Sequence, residues 1–306
     1  MPRKDGLMAF NPPYDVPEER QAYTFLAENN EYGRVGCLFL HGFMGSPAST
    51  RPMAQWLAQQ GITCHCPLLP GHGHLPYQIH GYTFKQWLQE AEEGLQTLRQ
   101  WADQIFIVGH SMGAVLAAHL ANTHTDIHGL ILLAPLYDVP DKRIKLAWLG
   151  KYVMPYFRPL KRKDVDREVF VGRVLDFDPT IDVDDPSLQD WLVEASRIPL
   201  SAVAEMVRAA KIGRKLWHKL HLPVLIMQGG KDPAVNPGNA EKVFSLLPTG
   251  DKEMKLFPNV GHELMRPFEP IHNTVWNLLH QFIKTHAEPA VPQDEFTERS
   301  RQSLRL

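Results

Sequence analysis

The pentapeptide Gly109-His110-Ser111-Met112-Gly113 sets a hydroxyl between two glycines at the spacing G-x-S-x-G. That spacing suits a nucleophile on a sharp strand-to-helix turn. The turn lifts the Ser111 hydroxyl clear of a sheet, and the small residues on either side let neighbouring backbones approach. The N-terminus of the next helix then lies under the oxygen that gains charge during attack on a carbonyl. The plainer reading is an ordinary glycine-lined turn. Context favours the nucleophile, because a buried apolar run, Ile105-Phe-Ile-Val108, precedes the pentapeptide and a helical segment, Ala114–Asn122, follows it.

A serine needs a base, and the base needs an orienting acid. Downstream, Gln228-Gly-Gly-Lys-Asp232 follows the apolar run 224–227, which puts a carboxylate at a strand end. Asn259-Val-Gly-His262 follows another strand near 255–257. Ser, Asp and His thus occur in the chain order of a strand–turn–helix nucleophile, with each partner where strand carboxyl ends gather. His262 is the expected base and Asp232 the expected acid. Asp138, after the strand 130–133, is an alternative acid, and Asp251 reads as a solvated turn residue. His272 and His280 fall inside the last helix and read as surface or packing residues. His110 lies inside the turn and is not its own base.

An oxyanion needs two N–H donors. One belongs to Met112, the residue after the nucleophile; the other is expected from the loop His41-Gly42-Phe43-Met44-Gly45, with Phe43 N–H as the donor. The Phe43 ring is also expected to wall the acyl pocket. His41 reads as a staple for this loop. His72 and His74 have metal-ligand chemistry, but no carboxylate or cysteine cluster accompanies them, so turn-stabilising roles are expected and no metal is implied.

The elements that must position these groups follow from apolar patterning. Short apolar runs at 35–40, 62–69, 105–108, 130–133, 223–227 and 255–257 read as strands. Helical spacing covers 51–60, 83–101, 114–122, 240–247 and 271–286. Strands alternating with helices, and apolar throughout, indicate an α/β fold with a mostly parallel sheet covered on both faces. The pattern stops from Asp138 to about His221, which is expected to be a helical cap. The expected organisation is an N-terminal arm at 1–34, a core at 35–137 and 222–287, the cap at 138–221 and a disordered tail at 288–306.

Taken in order, His41–Gly45, Pro70-Gly-His-Gly73, Gly109–Gly113, Gly229–Asp232 and Gly261-His262 resemble the α/β-hydrolases. The likeness runs over about 35–287, outside the insertion. It is nearest to the bacterial carboxylesterase and monoacylglycerol-lipase branch, also described as serine aminopeptidase S33-like or lysophospholipase-like. The resemblance implies Ser111 as nucleophile, Asp232 as acid, His262 as base, and Phe43 and Met112 as oxyanion donors beside the substrate. It implies ester hydrolysis through an acyl-enzyme, with no cofactor, on short- to medium-chain esters or monoacylglycerols. Acyl transfer or cofactor-free perhydrolysis on the same triad, or small-molecule binding without turnover, are the alternatives. The insertion is longer than the caps of the shortest bacterial esterases, which leaves substrate size open.

Composition bounds the rest. The chain has 306 residues, 44% of them hydrophobic, enough for a core without staples. Lys+Arg number 32 and Asp+Glu 34, a net charge of −2 that gives no case for nucleic acid. Three cysteines make no disulfide framework; Cys64 and Cys66 share a strand face and read as buried thiols. No apolar run approaches the roughly 18 residues of a membrane span, and no signal-peptide apolar region follows the N-terminus, so the cytoplasm is expected. Residues 142–163 carry eight Lys/Arg and no acid, interleaved with Trp148, Tyr152, Tyr156 and Phe157. An acid-rich run, 164–190, follows. Pairing of the two halves within one cap is the expectation, and docking of the basic segment on an anionic membrane is the alternative.

Overall fold

The computed structural model describes residues 10–29, 32–139, 142–163, 167–175, 180–267 and 270–288. Its elements in chain order are β1 (Tyr23–Phe25), β2 (Val35–Leu40), α1 (Arg51–Gln59), β3 (Thr63–Cys66), α2 (Phe84–Leu98), β4 (Gln104–His110), α3 (Met112–Thr123) and β5 (Ile127–Leu133). The chain continues through α4 (Ala147–Gly150), β6 (Tyr156–Phe157), α5 (Arg167–Leu175), α6 (Gln189–Ala195), β7 (Ile198–Pro199) and α7 (Leu200–Gly213). It closes with β8 (Val224–Gly229), α8 (Gly238–Leu246), β9 (Lys252–Phe257) and α9 (His272–His286).

Seven strands form one sheet in the order β1-β3-β2-β4-β5-β8-β9. All neighbours pair in parallel except β1, which runs antiparallel to β3. Because side chains alternate along a strand, each apolar run feeds two cores. Leu38, Leu40, Ile105, Ile107, Leu130, Leu132, Val224 and Ile226 face one side, against α2, α3 and α8, with α7 stacked on α2 and α3 behind them. Cys37, Phe39, Phe106, Val108, Ile131, Leu133, Leu225 and Met227 face the other, against α1 and α9. This two-sided burial explains why the middles of the central strands are apolar, with polar residues only near their ends, at Gln104, His110, His128 and Gln228. Cys37, Cys64 and Cys66 are buried free thiols on that second side. Burial pushes all three well above the usual thiol range, which keeps them as unreactive thiols.

Helix α2 shows local and tertiary signals agreeing. Thr83 accepts from the Gln86 N–H while the Gln86 side chain accepts from the Thr83 N–H, a reciprocal cap. Its stripe Trp87, Ala91, Leu95 and Leu98 is buried against the sheet.

Three differences from the sequence expectation stand out. The arm assigned to 1–34 contributes to the sheet: Tyr23, Thr24 and Phe25 pair with Cys66, His65 and Cys64, and Val16 and Tyr23 are buried. The extended run 62–69 holds a strand only over Thr63–Cys66. The insertion 138–221 is not all cap. Its last helix, α7, packs on α2 and α3 and buries Ala202, Val207, Ala209 and Ala210 in the same core cluster as the sheet, and Trp217 and Leu220 follow it there. The outer part has its own small core, Val174, Leu192 and Ala195 around Leu75, and a two-stranded β6–β7 ribbon that apolar runs had not signalled. The tail beyond Glu288, and acids 164, 166, 176 and 178 of the cap, lie outside the described residues.

Candidate active site

The C-terminal ends of β2, β4, β8 and β9 deliver the four candidate segments to one edge of the sheet. Ser111 stands between β4 and α3 with φ of 55°, a left-handed conformation rare for a residue with a side chain. Two main-chain bonds hold this strained turn against β5: Ser111 N–H donates to Leu133 O at 2.9 Å, and Leu136 N–H donates to Ser111 O at 3.2 Å. A Cβ on Gly113 would collide with the Leu40 carbonyl, so a side chain there would push α3 off β2. A Cβ on Gly42 would sit 3.2 Å from Ser111 Cβ, so the 41–45 loop runs directly alongside the serine.

Asp232 and His262 meet across the β8 and β9 loops. His262 Nδ1–H donates to Asp232 Oδ2 at 2.7 Å. Asp232 Oδ2 also accepts from Gln228 Nε2, and Oδ1 accepts from the N–H groups of Ala234 and Val235, each at 2.8 Å. Burial alone would raise this carboxyl, but the His262 contact, the Val235 N–H and the Gln228 amide outweigh it and hold the pKa below the usual range. The carboxylate is therefore ionised, and it fixes Nδ1 as the protonated nitrogen, leaving Nε2 as the basic one. No hydrogen bond joins the Ser111 hydroxyl to the His262 ring among the described residues.

Asp138 has other partners. It receives Lys145 Nζ at 2.8 Å and lies 3.6 Å from Arg214 Nη1, tying the start of the insertion to its last helix. Asp251 pairs with His286 near the surface. His272 and His280 pack from α9 against Trp276 and Trp56.

The 41–45 loop is stapled as expected of His41: Nδ1–H donates to the Gly42 carbonyl at 3.0 Å and Nε2 accepts from Leu69 N–H at 3.2 Å. Both ring nitrogens are thus committed to a neutral imidazole, and burial lowers its pKa well below the usual value. The Phe43 ring packs edge-on to His72 and Trp87 at 6.3 and 6.2 Å. Met112 is fully buried, so what it presents at this edge is its N–H, one of the first helical donors without an intrahelical partner. His72 Nδ1–H donates to the Pro70 carbonyl at 3.1 Å, which closes the Pro70–Gly73 turn.

Two residues of the site escaped the sequence expectation. Gln228 ends an otherwise apolar strand, and this isolated polar residue four before Asp232 was the available signal. His110 donates from Nε2 to the His262 main-chain carbonyl at 3.1 Å, with ring centroids 4.5 Å apart. Burial, then the neighbouring His262, lowers the His110 pKa to about 4, so its ring is neutral. Nothing in the sequence linked residues 110 and 262.

A parallel sheet with a strained serine elbow and an Asp–His pair at its carboxyl edge defines an α/β-hydrolase. Residues 34–270 match the family described as serine aminopeptidase, S33 (Hydrolase_4), and the chain belongs to that family. It is 31% identical over 241 residues to the thermostable monoacylglycerol lipase of Bacillus sp. (strain H-257), covering 79% of this chain and 86% of that one. It is 24% identical over 251 residues to a carboxylesterase of Bacillus subtilis (strain 168), covering 81% and 93%. Among solved structures, a metagenome-derived lipolytic enzyme superposes with a TM-score of 0.71 at 20% identity, covering 89% of this chain and 100% of that one. A soluble variant of monoglyceride lipase from Saccharomyces cerevisiae gives 0.63 at 21% identity, covering 91% and 98%. No helix among the described residues is long and apolar enough to cross a membrane.

Proposed function

We propose that this chain is a serine ester hydrolase acting on monoacylglycerols or short- to medium-chain carboxylic esters. The carrying observation is the 2.7 Å Asp232–His262 contact beside the strained Ser111 elbow. In this reading Ser111 Oγ attacks the acyl carbon and gives its proton to His262 Nε2. Asp232 keeps Nδ1–H in place and stabilises the imidazolium. The Met112 and Phe43 N–H groups receive the oxyanion. The tetrahedral intermediate collapses, the leaving alcohol takes the proton from Nε2, and Ser111 is left acylated. Water, deprotonated by Nε2, repeats the sequence and releases the acid. The chain's own groups supply every proton transfer, so the mechanism calls for no cofactor. Similarity to the Bacillus lipase and carboxylesterase supports the substrate class, and three buried free thiols fit a reducing compartment such as the cytoplasm.

The test is a panel of p-nitrophenyl esters and monoacylglycerols of rising acyl length, with an amino-acyl p-nitroanilide as the peptidase control. Release of free fatty acid from the esters, and none of amine from the anilide, is expected. Acyl transfer to an added alcohol without acid release, or anilide cleavage alone, would refute the hydrolase reading.

A further inference from the structure

We propose that Gln228 tunes the candidate triad: by donating to the same Asp232 oxygen that holds His262, it limits how tightly the acid grips the base and keeps the base free at mildly acid pH. The inference rests on the hydrolase reading above. Gln228 acts through Asp232, so it is a positioning residue and not a catalytic one.

The geometry is that of a saturated carboxylate. An ionised carboxylate offers about four lone-pair sites. Asp232 Oδ1 accepts from the Ala234 and Val235 N–H groups, both at 2.8 Å. Oδ2 accepts from His262 Nδ1–H at 2.7 Å and from Gln228 Nε2–H at 3.0 Å. The two main-chain donors on Oδ1 hold the carboxylate in place whatever residue stands at 228. What the Gln228 donor changes is the charge left on Oδ2. Each donor stabilises the anion, and an oxygen shared between two donors attracts each of them less than it would attract one.

The amide's own arrangement points the same way. Gln228 is fully buried and continues the β8 face of Val224 and Ile226. Its orientation is fixed by its partners. Nε2 meets two acceptors, Asp232 Oδ2 and the Gly229 carbonyl, at 3.0 Å each, so turning the amide over would set oxygen against oxygen. Oε1 is then buried with no protein donor among the described residues. A buried amide matched at one end only costs stability relative to an apolar side chain of the same shape. A glutamine at the end of an apolar strand is explained by what its N–H groups do for Asp232.

Other groups facing the pair do not duplicate this. His110 faces His262 from the β4 turn, and burial keeps it neutral. Glu263, in the same loop as His262, is held by Arg266 at 3.2 Å. Among the described residues, Gln228 is the one side chain besides His262 that donates to Asp232.

The experiment compares wild type with Gln228→Met and Gln228→Leu, which fill a similar volume without a donor. The acid limb of kcat/KM for a soluble ester reports loss of the proton from the base in the free enzyme. With Oδ2 left to His262 alone, that limb should move up by about half a pH unit, a loss of about threefold on the limb. The plateau kcat should fall about threefold with KM little changed, because a more tightly held imidazolium returns its proton to the leaving alcohol less readily. The His262 Nδ1–H proton resonance, read without substrate, should move downfield in both variants and vanish in Asp232→Asn. In wild type the Gln228 side-chain amide resonance should shift over the same pH span as the limb, a reading that needs no variant to fold. An active variant with an unmoved limb and an unmoved proton resonance would overturn the proposal. So would a wild-type amide that ignores the limb, or a lowered melting temperature with wild-type kinetics, which would make Gln228 structural only. The resonances need no turnover, so absent hydrolysis by wild type refutes the hydrolase reading and leaves the coupling measurable. An unmoved limb in an active variant refutes the coupling alone.

Discussion

His110 Nε2–H donates to the main-chain carbonyl of His262 at 3.1 Å, so the residue before the candidate nucleophile grips the backbone of its candidate base. The bond ties the β4 turn to the β9 loop and fixes how far apart Ser111 and the His262 ring can move. His110 acts through position and does not itself exchange a proton, because burial keeps it neutral.

His110→Ala should therefore lower kcat with a smaller change in KM. A misplacement near 1 Å at a reacting centre costs up to about 10²-fold, so a loss of about ten- to a hundredfold is expected. Steady-state kinetics on a soluble ester measures the split. A kcat equal to wild type would show that the His262 loop holds itself.

The acid assignment separates two carboxylates that both follow strands. Asp232→Asn removes the acceptor that fixes the His262 tautomer and should cost about 10⁴-fold in kcat. Asp138→Asn breaks pairs with Lys145 and Arg214 that are about a third exposed, so the stability loss should stay near or below about 1 kcal/mol with kcat little changed. Kinetics and melts of the two variants side by side check this. Crippled turnover in Asp138→Asn with near-normal Asp232→Asn would move the acid to the earlier strand.

Buried neutral histidines set the acid limit of stability. Burial holds both His72 and His110 at about 4, against about 6.5 in the unfolded chain. The folded state then binds fewer protons between those values, so stability rises with pH there. It is fully present above about 6.5 and is lost as pH falls through 4, by roughly 3 kcal/mol for each histidine. Asp232 adds to the acid side, because its lowered carboxyl pKa favours the folded state until pH drops below the usual carboxylate range. The melting temperature measured from pH 7.5 to 4.5 should fall steeply, and His72→Asn should flatten the slope. A constant melting temperature over that window would contradict the buried neutral state.

Most of the sheet was legible because its strands are buried on both faces and so read as uninterrupted apolar runs. Val35–Leu40 and the run 105–108 within β4 carry this signal unambiguously. Tyr23–Phe25 did not, since three residues beside a proline-rich stretch make no run; their strand exists because β3 offers an open edge. Helix α7 was misassigned to the cap for a related reason. Its alanines let it pack closely on α2 and α3, whose other sides cover the sheet, and periodicity alone does not say which surface a helix meets. The candidate site residues stood out through spacing where the pattern is local, as at 109–113. The His110–His262 bond joins positions 152 apart, and only the sheet order brings them together.

The central claim is that Ser111 is the nucleophile, and a fluorophosphonate probe addresses it directly. Folded wild-type protein should be labelled once, with the mass shift mapped to the peptide containing Ser111. Ser111→Ala should take no label, keep its melting temperature and lose roughly 10⁴–10⁶ of kcat on a soluble ester. Labelling at another residue, or substantial hydrolysis by purified Ser111→Ala, would contradict the account.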